Sequence, residues 1–481
     1  MKKVILRCFV ILLALLLPLG AILGIGFLTP PQYGDTFLGA LSPKYERLYS
    51  IEEPKIILIG GSSVAFGYNT KLMEEKLNMP VVNFGLYASL GTKVMLDLAE
   101  DSIGRGDIVI LAPEMDAQTL SLYFNGETFW QAADSDFSLL LNVDSENYSA
   151  LAGNFWGYAK EKFYYLQKGA PNPEGVYNKA SFDEYGDIVY QRPYNQLTLN
   201  YDPTLTITLE PSIVDAAFLD YVNAYIQKAE SKGATVYFTF SPMNELALES
   251  NTTDESLWHF YDYLCRVLDC EVISNINDCI MDAGYFYDSN FHLNDSGVTV
   301  RTASLIKDIR RALGITTPVD IPLPAVPEKP EMPTEQDKID PNDTSASLDA
   351  DCFTYETFGE GLTVTGVTDL GKTRKELTIP AYYEGKEIIA ISEYAFRGCS
   401  ALERVTVQRN VISIYSKAFA GCPSLGTVRL ETQGEKILVN NETLLDETSS
   451  TLRFSVSNEN YPTFVNDYFW TPYASRFVVE D

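Results

Sequence analysis

Lys55-Ile56-Ile57-Leu58-Ile59-Gly60-Gly61-Ser62-Ser63-Val64-Ala65-Phe66-Gly67 is a short apolar run that ends on two glycines and two serines. Such a run, closed by a turn signal, reads as a buried strand entering a tight turn. Glycines at a strand-to-helix turn let the backbone approach a ligand and leave a following hydroxyl exposed at the carboxyl edge of a sheet. Working outward, Val81-Val82-Asn83-Phe84, Ile108-Val109-Ile110-Leu111 and Val236-Tyr237-Phe238-Thr239-Phe240 repeat the strand pattern. Between them Thr70 to Leu77, Thr92 to Ile103 and Ile213 to Lys232 carry apolar residues at helical spacing. This alternation predicts βαβ units, hence a mostly parallel sheet in a three-layer α/β/α domain spanning 50–316. Residues 117–200 break the rhythm with many Tyr, Phe, Trp, Asn and Gly, and read as an insertion or lid over the sheet's carboxyl edge.

The Gly-Ser turn excludes some chemistries by its letters. It has no GKS or GKT, so it is not a phosphate-binding loop, and GxGxxG does not fit. Val64-Ala65 after Ser63 rule out the GxSxG nucleophile elbow. A hydrolytic serine needs a base to take its proton and a carboxylate to orient that base. The chain has two histidines. His292 lies in Phe286-Tyr287-Asp288-Ser289-Asn290-Phe291-His292-Leu293-Asn294-Asp295-Ser296-Gly297, just before the domain's last helix, and Asp288 precedes it by four residues. His259, in Trp258-His259-Phe260-Tyr261, falls on an amphipathic helix and reads as a packed or surface residue.

The three stretches IGGSSVAFG, VVNFGL and YDSNFHLNDSG resemble, in order and separation, the first, second and fifth blocks of the SGNH/GDSL hydrolases. They are similar in particular to the membrane-anchored branch that includes the DltD-like and alginate-acetylation proteins. The resemblance covers Lys55 to Gly314 and implies a flavodoxin-like sheet order and no cofactor. It implies Ser63 as nucleophile, His292 as base and Asp288 as its partner. It also implies an oxyanion hole from the backbone N–H groups of Ser63 and Gly85, each donor being worth roughly 3–4 kcal/mol at the transition state. Two positions depart from the pattern. The third block offers Glu114 where an Asn is usual, so Glu114 is expected to orient a backbone or substrate hydroxyl, while Asn69 and Asn83 are candidates for the missing donor. Asp288 stands one residue further from the histidine than the commonest spacing, where Ser289 sits instead, which implies a one-residue bulge in the loop.

Outside this domain the sequence changes character. Lys2, Lys3 and Arg7 precede an uncharged run from Phe9 to Leu28, then Thr29-Pro30-Pro31. That length predicts an uncleaved transmembrane helix within 1–30, with the positive side cytoplasmic and everything after Leu28 extracytoplasmic. Residues 317–348 carry Pro318, Pro322, Pro324, Pro327, Pro330, Pro333 and Pro341 and read as a semi-extended linker. In 349–481, Ala395-Phe396-Arg397-Gly398-Cys399-Ser400-Ala401-Leu402 is echoed by Ala418-Phe419-Ala420-Gly421-Cys422-Pro423-Ser424-Leu425. Ile391, Val405 and Val407 match Ile414, Val428 and Leu430. A period in the twenties with one short strand per unit predicts a short leucine-rich-repeat solenoid. These phrases resemble the bacterial surface repeats of the BspA type, with Phe353 to Val367 and Leu452 to Val479 expected as caps.

Whole-chain numbers bound the function. At 481 residues the chain exceeds one ordinary core. A formal charge of −29 argues against a nucleic-acid partner. Seven cysteines without a CxxC pair give no support to a metal site, and a disulfide from Cys265 or Cys270 to Cys279 is left open. Two functions follow. One is a serine-dependent esterase or acyltransferase acting on acyl groups, acetyl above all, of cell-envelope polysaccharide, its partners being that polysaccharide or its acyl donor and a membrane-bound O-acyltransferase. The other is a non-catalytic surface protein that binds through its repeats, with Glu114 as the mark of a lapsed site.

Overall fold

The computed structural model describes residues 16–328 apart from 174 and 198, and residues 349–480 apart from 359–360, 433–436, 440–443, 446–447, 450, 466 and 468–469. Contacts divide the chain into one unit of 1–201 with 206–329 and a second of 202–205 with 330–481.

In the first unit the apolar runs become strands β1 (Ile56–Gly60), β2 (Val81–Gly85), β3 (Ile108–Leu111) and β4 (Thr235–Phe238). A short β5 (Met243–Asn244) pairs β7 (Ile280–Met281), while β6 (Glu271–Val272) joins the main sheet. The main sheet runs β2-β1-β3-β4-β6, and all its pairings are parallel. Side chains alternate across a strand, so a sheet with two apolar faces needs two covers. Ile57, Ile59, Val82 and Phe84 pack with Val94, Met95 and Leu98 of α5 (Thr92–Glu100) and Phe218 and Val222 of α8 (Ala216–Ser231). Ile56, Leu58 and Ile110 pack instead with Met73 of α4 (Thr70–Leu77) and Leu305, Ile306 and Ile309 of α10 (Asp295–Ala312). Parallel strands align their carboxyl ends, so the residues following β1, β2 and β3 meet at one edge. The insertion supplies α6 (Gly126–Ala132), α7 (Tyr148–Lys168) and irregular segments. Residues 317–328 run over this unit, with Ile321 buried and the Pro324 carbonyl accepting the Tyr285 hydroxyl at 3.1 Å; residues 329–348 lie outside the described ones.

The expected membrane span is corrected. Among the described residues no helix is long and apolar enough to cross a membrane, so the single-pass anchor, and the cell-membrane location built on it, are unsupported. The described part of the apolar run is α1, residues 16–28. Its end is committed to packing on the insertion. The Gly26 carbonyl accepts Tyr158 Oη and Lys162 Nζ, each at 3.1 Å, and the Phe27 ring stacks on Phe155 at 5.1 Å. Residues 1–15, which hold the rest of the run and Cys8, lie outside the described residues. The six described cysteines are all free thiols, so no disulfide joins Cys265 or Cys270 to Cys279.

The second unit stacks short parallel strands into two sheets. Glu376–Thr378, Arg404–Val407, Thr427–Leu430, Arg453–Val456 and Phe477–Val479 form one. Ser413–Ile414, Leu438–Val439 and Lys386–Ile391 line up with Gly361–Val367 in the other. Equivalent residues of the two echoed phrases stack inside: the Phe396 and Phe419 rings are 5.4 Å apart, and Cys399, Cys422, Leu402 and Leu425 are buried beside them. The backbone repeats as well, since Tyr394 and Lys417 both take the left-handed conformation, at φ 58° and 54°.

Candidate functional site

Strand β1 ends at Gly60, and Gly61 turns the chain into the one-turn helix α3 (Ser62–Ala65). A Cβ on Gly61 would lie 2.8 Å from Glu114 Oε1, so only glycine lets that carboxylate reach the turn. Glu114, just beyond β3, accepts the Ser63 amide at 2.8 Å and the Ser62 hydroxyl at 3.1 Å. From the far end of the unit comes the loop before α10. Tyr287 N–H donates to the His292 carbonyl at 2.8 Å, and Phe286 bridges Leu293. That tight hairpin sets Asp288 and His292 at its two feet. Ser289 Oγ is turned inward to accept the Phe291 amide at 3.1 Å, which is why the closer residue is not the partner of the imidazole.

The geometry brings three side chains into a line. His292 Nδ1 is 2.8 Å from Asp288 Oδ1, and His292 Nε2 is 2.7 Å from Ser62 Oγ. An ionised carboxylate only accepts, which puts the ring proton on Nδ1 and leaves the Nε2 lone pair to the serine hydroxyl. Ser62 has one proton and two acceptors, His292 and Glu114, and the shorter contact is to the histidine. The imidazole is held flat against Phe66, with ring centroids 3.9 Å apart and planes 5° from parallel. The Arg192 guanidinium lies 5.3 Å from the centre of the Phe66 ring. Asp288 Oδ2 accepts the Tyr177 hydroxyl at 2.6 Å.

Several expected residues are placed elsewhere. Ser63, read from the sequence as the nucleophile, is fully buried, and its Oγ has no hydrogen-bond partner among the described residues. The first turn of α3 points Ser62 at the imidazole and Ser63 into the protein. The two amides expected in the oxyanion hole both face acceptors of the protein itself: Ser63 N–H faces Glu114, and Gly85 N–H meets Asn83 Oδ1 at 3.0 Å. Asn83 is spent on structure, since its Nδ2 donates to the Val64 carbonyl at 3.1 Å and to Asp187 at 2.8 Å. Gly85 is needed for fit, because a Cβ there would run into the Ala65 amide nitrogen. Asn69 caps α4 by accepting the Leu72 amide at 2.9 Å and does not join the group. His259 is exposed on α9 (Asp254–Val267), 3.7 Å from Glu255.

Buried charge surrounds the turn. Burial, reinforced by the Glu114 charge, pushes the Asp116 carboxyl up to about 6. Burial likewise pushes Asp187 up to about 6, although Thr70 and Asn83 donate to it. Lys44 is lowered to about 7 by burial, against the pull of Asp187 and Asp183. Its Nζ donates to the carbonyls of Gly85 at 2.8 Å and Gly186 at 2.7 Å, tying the end of β2 to the insertion.

Sequence reasoning missed Ser62, Tyr177 and Phe66. The twin serines carried the first of these signals without resolving it. Nothing in the aromatic-rich segment singled out Tyr177.

Residues 375–458 match the family described as BspA type leucine rich repeat region (6 copies). That match lies wholly in the second unit, whose residues 375–458 are BspA-type leucine-rich repeats. No curated protein sequence matches the chain. A crystal structure of a leucine-rich repeat protein from Bacteroides ovatus is similar at 18% identity over 22% of this chain and 30% of that one, with a TM-score of 0.17. The chain thus matches under a third of that protein's length.

Proposed function

We propose that the first unit is a serine-dependent acyl-ester enzyme, with Ser62 as nucleophile, His292 as general base and Asp288 as its orienting carboxylate, and that the repeat unit is a binding module. The repeat match supports the binding half. The enzymatic half rests on one observation, the Ser62–His292–Asp288 line with contacts of 2.7 and 2.8 Å. In this reading Ser62 Oγ bonds to the acyl carbon as its proton passes to His292 Nε2. The ester C–O bond then breaks as that proton passes to the leaving oxygen, giving an acyl-serine and a neutral alcohol. Water or a second hydroxyl attacks the acyl-serine by the reverse proton route, so hydrolysis and transfer share every group. Glu114 holds the turn that carries the nucleophile, through the Ser63 amide.

The test is labelling of the full-length protein with a fluorophosphonate, followed by peptide mapping. The modified residue is expected to be Ser62, and Ser62→Ala is expected to abolish both labelling and turnover of a small acetyl ester. Adduct on Ser63, or labelling that survives Ser62→Ala, refutes the assignment. A protein with the repeats intact that neither labels nor turns over any acyl ester leaves only the binding half.

A further inference from the structure

We infer that the insertion is a brace for the catalytic loop rather than a cover alone, and that Tyr177 is a positioning residue acting through Asp288; this rests on the acyl-enzyme reading. The carboxylate of Asp288 has two oxygens with different tasks. Oδ1 accepts the imidazole Nδ1–H at 2.8 Å, and Oδ2 accepts the Tyr177 hydroxyl at 2.6 Å. A carboxylate on a short side chain swings about its Cβ–Cγ bond unless its second oxygen is tied. Tyr177 supplies that tie from a distance of 111 residues along the chain. The Tyr177 hydroxyl stands 3.5 Å from His292 Nδ1, so any rotation of the carboxylate changes the hydrogen bond that holds the ring.

The same insertion grips the loop at other points. Arg192 and Asp295 exchange backbone contacts at 3.0 Å in both directions, Arg192 N–H to Asp295 Oδ2 and Asp295 N–H to the Arg192 carbonyl. Gln196 N–H donates to the Tyr287 carbonyl at 2.7 Å, next to Asp288. Phe66, which backs the imidazole, has the Arg192 guanidinium over its ring. Residues 177, 192 and 196 thus fasten the hairpin on both sides of Asp288, adding to its own Tyr287–His292 and Phe286–Leu293 closures.

The experiment has two readouts on full-length protein. The first is kinetic: Tyr177→Phe keeps the ring and removes the hydroxyl. A hydrogen bond to a charged group predicts a fall of about 10- to 100-fold in kcat and in the fluorophosphonate rate, with KM changed less than about twofold. In an Asp288→Ala background the same substitution is expected to change the labelling rate by less than about twofold, because the carboxylate through which Tyr177 acts is gone. The second readout needs no turnover. The chain has two histidines, so 15N-histidine labelling lets the His292 Nδ1–H proton be assigned against His259. That far-downfield proton is expected in the native protein and lost or shifted in Tyr177→Phe. Unchanged rate and unchanged resonance, or a loss that adds in full to that of Asp288→Ala, overturns the positioning role. If the resonance responds while the native protein neither labels nor turns over an ester, the brace stands and the acyl-enzyme reading falls.

Discussion

Replacing Ser63 by alanine separates the two serines of the turn. Ser63 is 0% exposed and its hydroxyl has no partner among the described residues, whereas Ser62 touches both His292 and Glu114. Burying a hydroxyl without a hydrogen bond costs about 1–3 kcal/mol on mutational scales. Against that, losing one oxygen atom leaves a void smaller than a methyl group, which costs about 1 kcal/mol or less. Ser63→Ala is therefore expected to be neutral to stabilising, by about 1 kcal/mol. For a unit of this size that is a rise in Tm of about 1–2 °C. The Ser63 amide, which donates to Glu114, is untouched by the substitution, so the turn keeps its shape. The assay is urea unfolding of the full chain, with the repeat unit's transition as internal reference, alongside fluorophosphonate labelling. The midpoint of the first unit should rise or hold at constant slope, and the labelling rate should stay within about threefold. A loss of more than about 1 kcal/mol refutes the burial argument. Loss of labelling in Ser63→Ala with labelling retained in Ser62→Ala refutes the choice of nucleophile.

Two further outcomes concern the frame around the site. Lys55 and Asp107 form a buried ion pair at 3.1 Å, with both side chains 4% exposed, and Asp107 also accepts the Lys55 amide; Asp107→Asn strands the ammonium and should lower stability by about 3–5 kcal/mol, a cost below 1 kcal/mol in the urea midpoint counting against it. Lys44, at about 7 in the fold and 10.5 ordinarily, is protonated in the unfolded chain across that window while the folded chain is not. Stability from this group is therefore fully present above 10.5 and lost as pH falls toward 7; Lys44→Met should flatten the rise in urea midpoint over that range, and equal slopes in the two proteins would refute it.

What the sequence disclosed depended on periodicity. Ile56 to Ile59, Val81 to Phe84 and Ile108 to Leu111 are continuous apolar runs because both faces of a central parallel strand are covered, and each became a strand at the expected place. The echo of Ala395 to Leu402 in Ala418 to Leu425 gave the repeat unit, since identical packing demands recur at stacked positions. The apolar run from Phe9 to Leu28 suggested a span by length and hydropathy alone; among its described residues only the end packs on the insertion, while Leu16, Leu17, Leu19 and Leu23 are exposed. Phe27 is apolar for Phe155 and Trp130, and Gly26 presents its carbonyl to Tyr158 and Lys162. Tyr177 and Asp288 are joined only by tertiary structure, through an insertion whose many aromatics share no period.

The one-residue offset between Ser63 and Ser62 has its own cause. A strand that turns into a helix changes the angular step between successive side chains from about 180° to about 100°, and the residue at the join takes its direction from the first helical turn. In Gly60-Gly61-Ser62-Ser63 nothing in the letters fixes where that change falls. The structure fixes it at Gly61, whose φ of −74° and ψ of −159° end the extended chain and make Ser62 the first helical residue. Glu114 accepts both the Ser63 amide and the Ser62 hydroxyl and so ties the first turn of α3 to the end of β3. A carboxylate can accept the Ser63 amide at 2.8 Å, and an amide donor at Ser63 that is spent in this way is no longer available to a substrate oxygen.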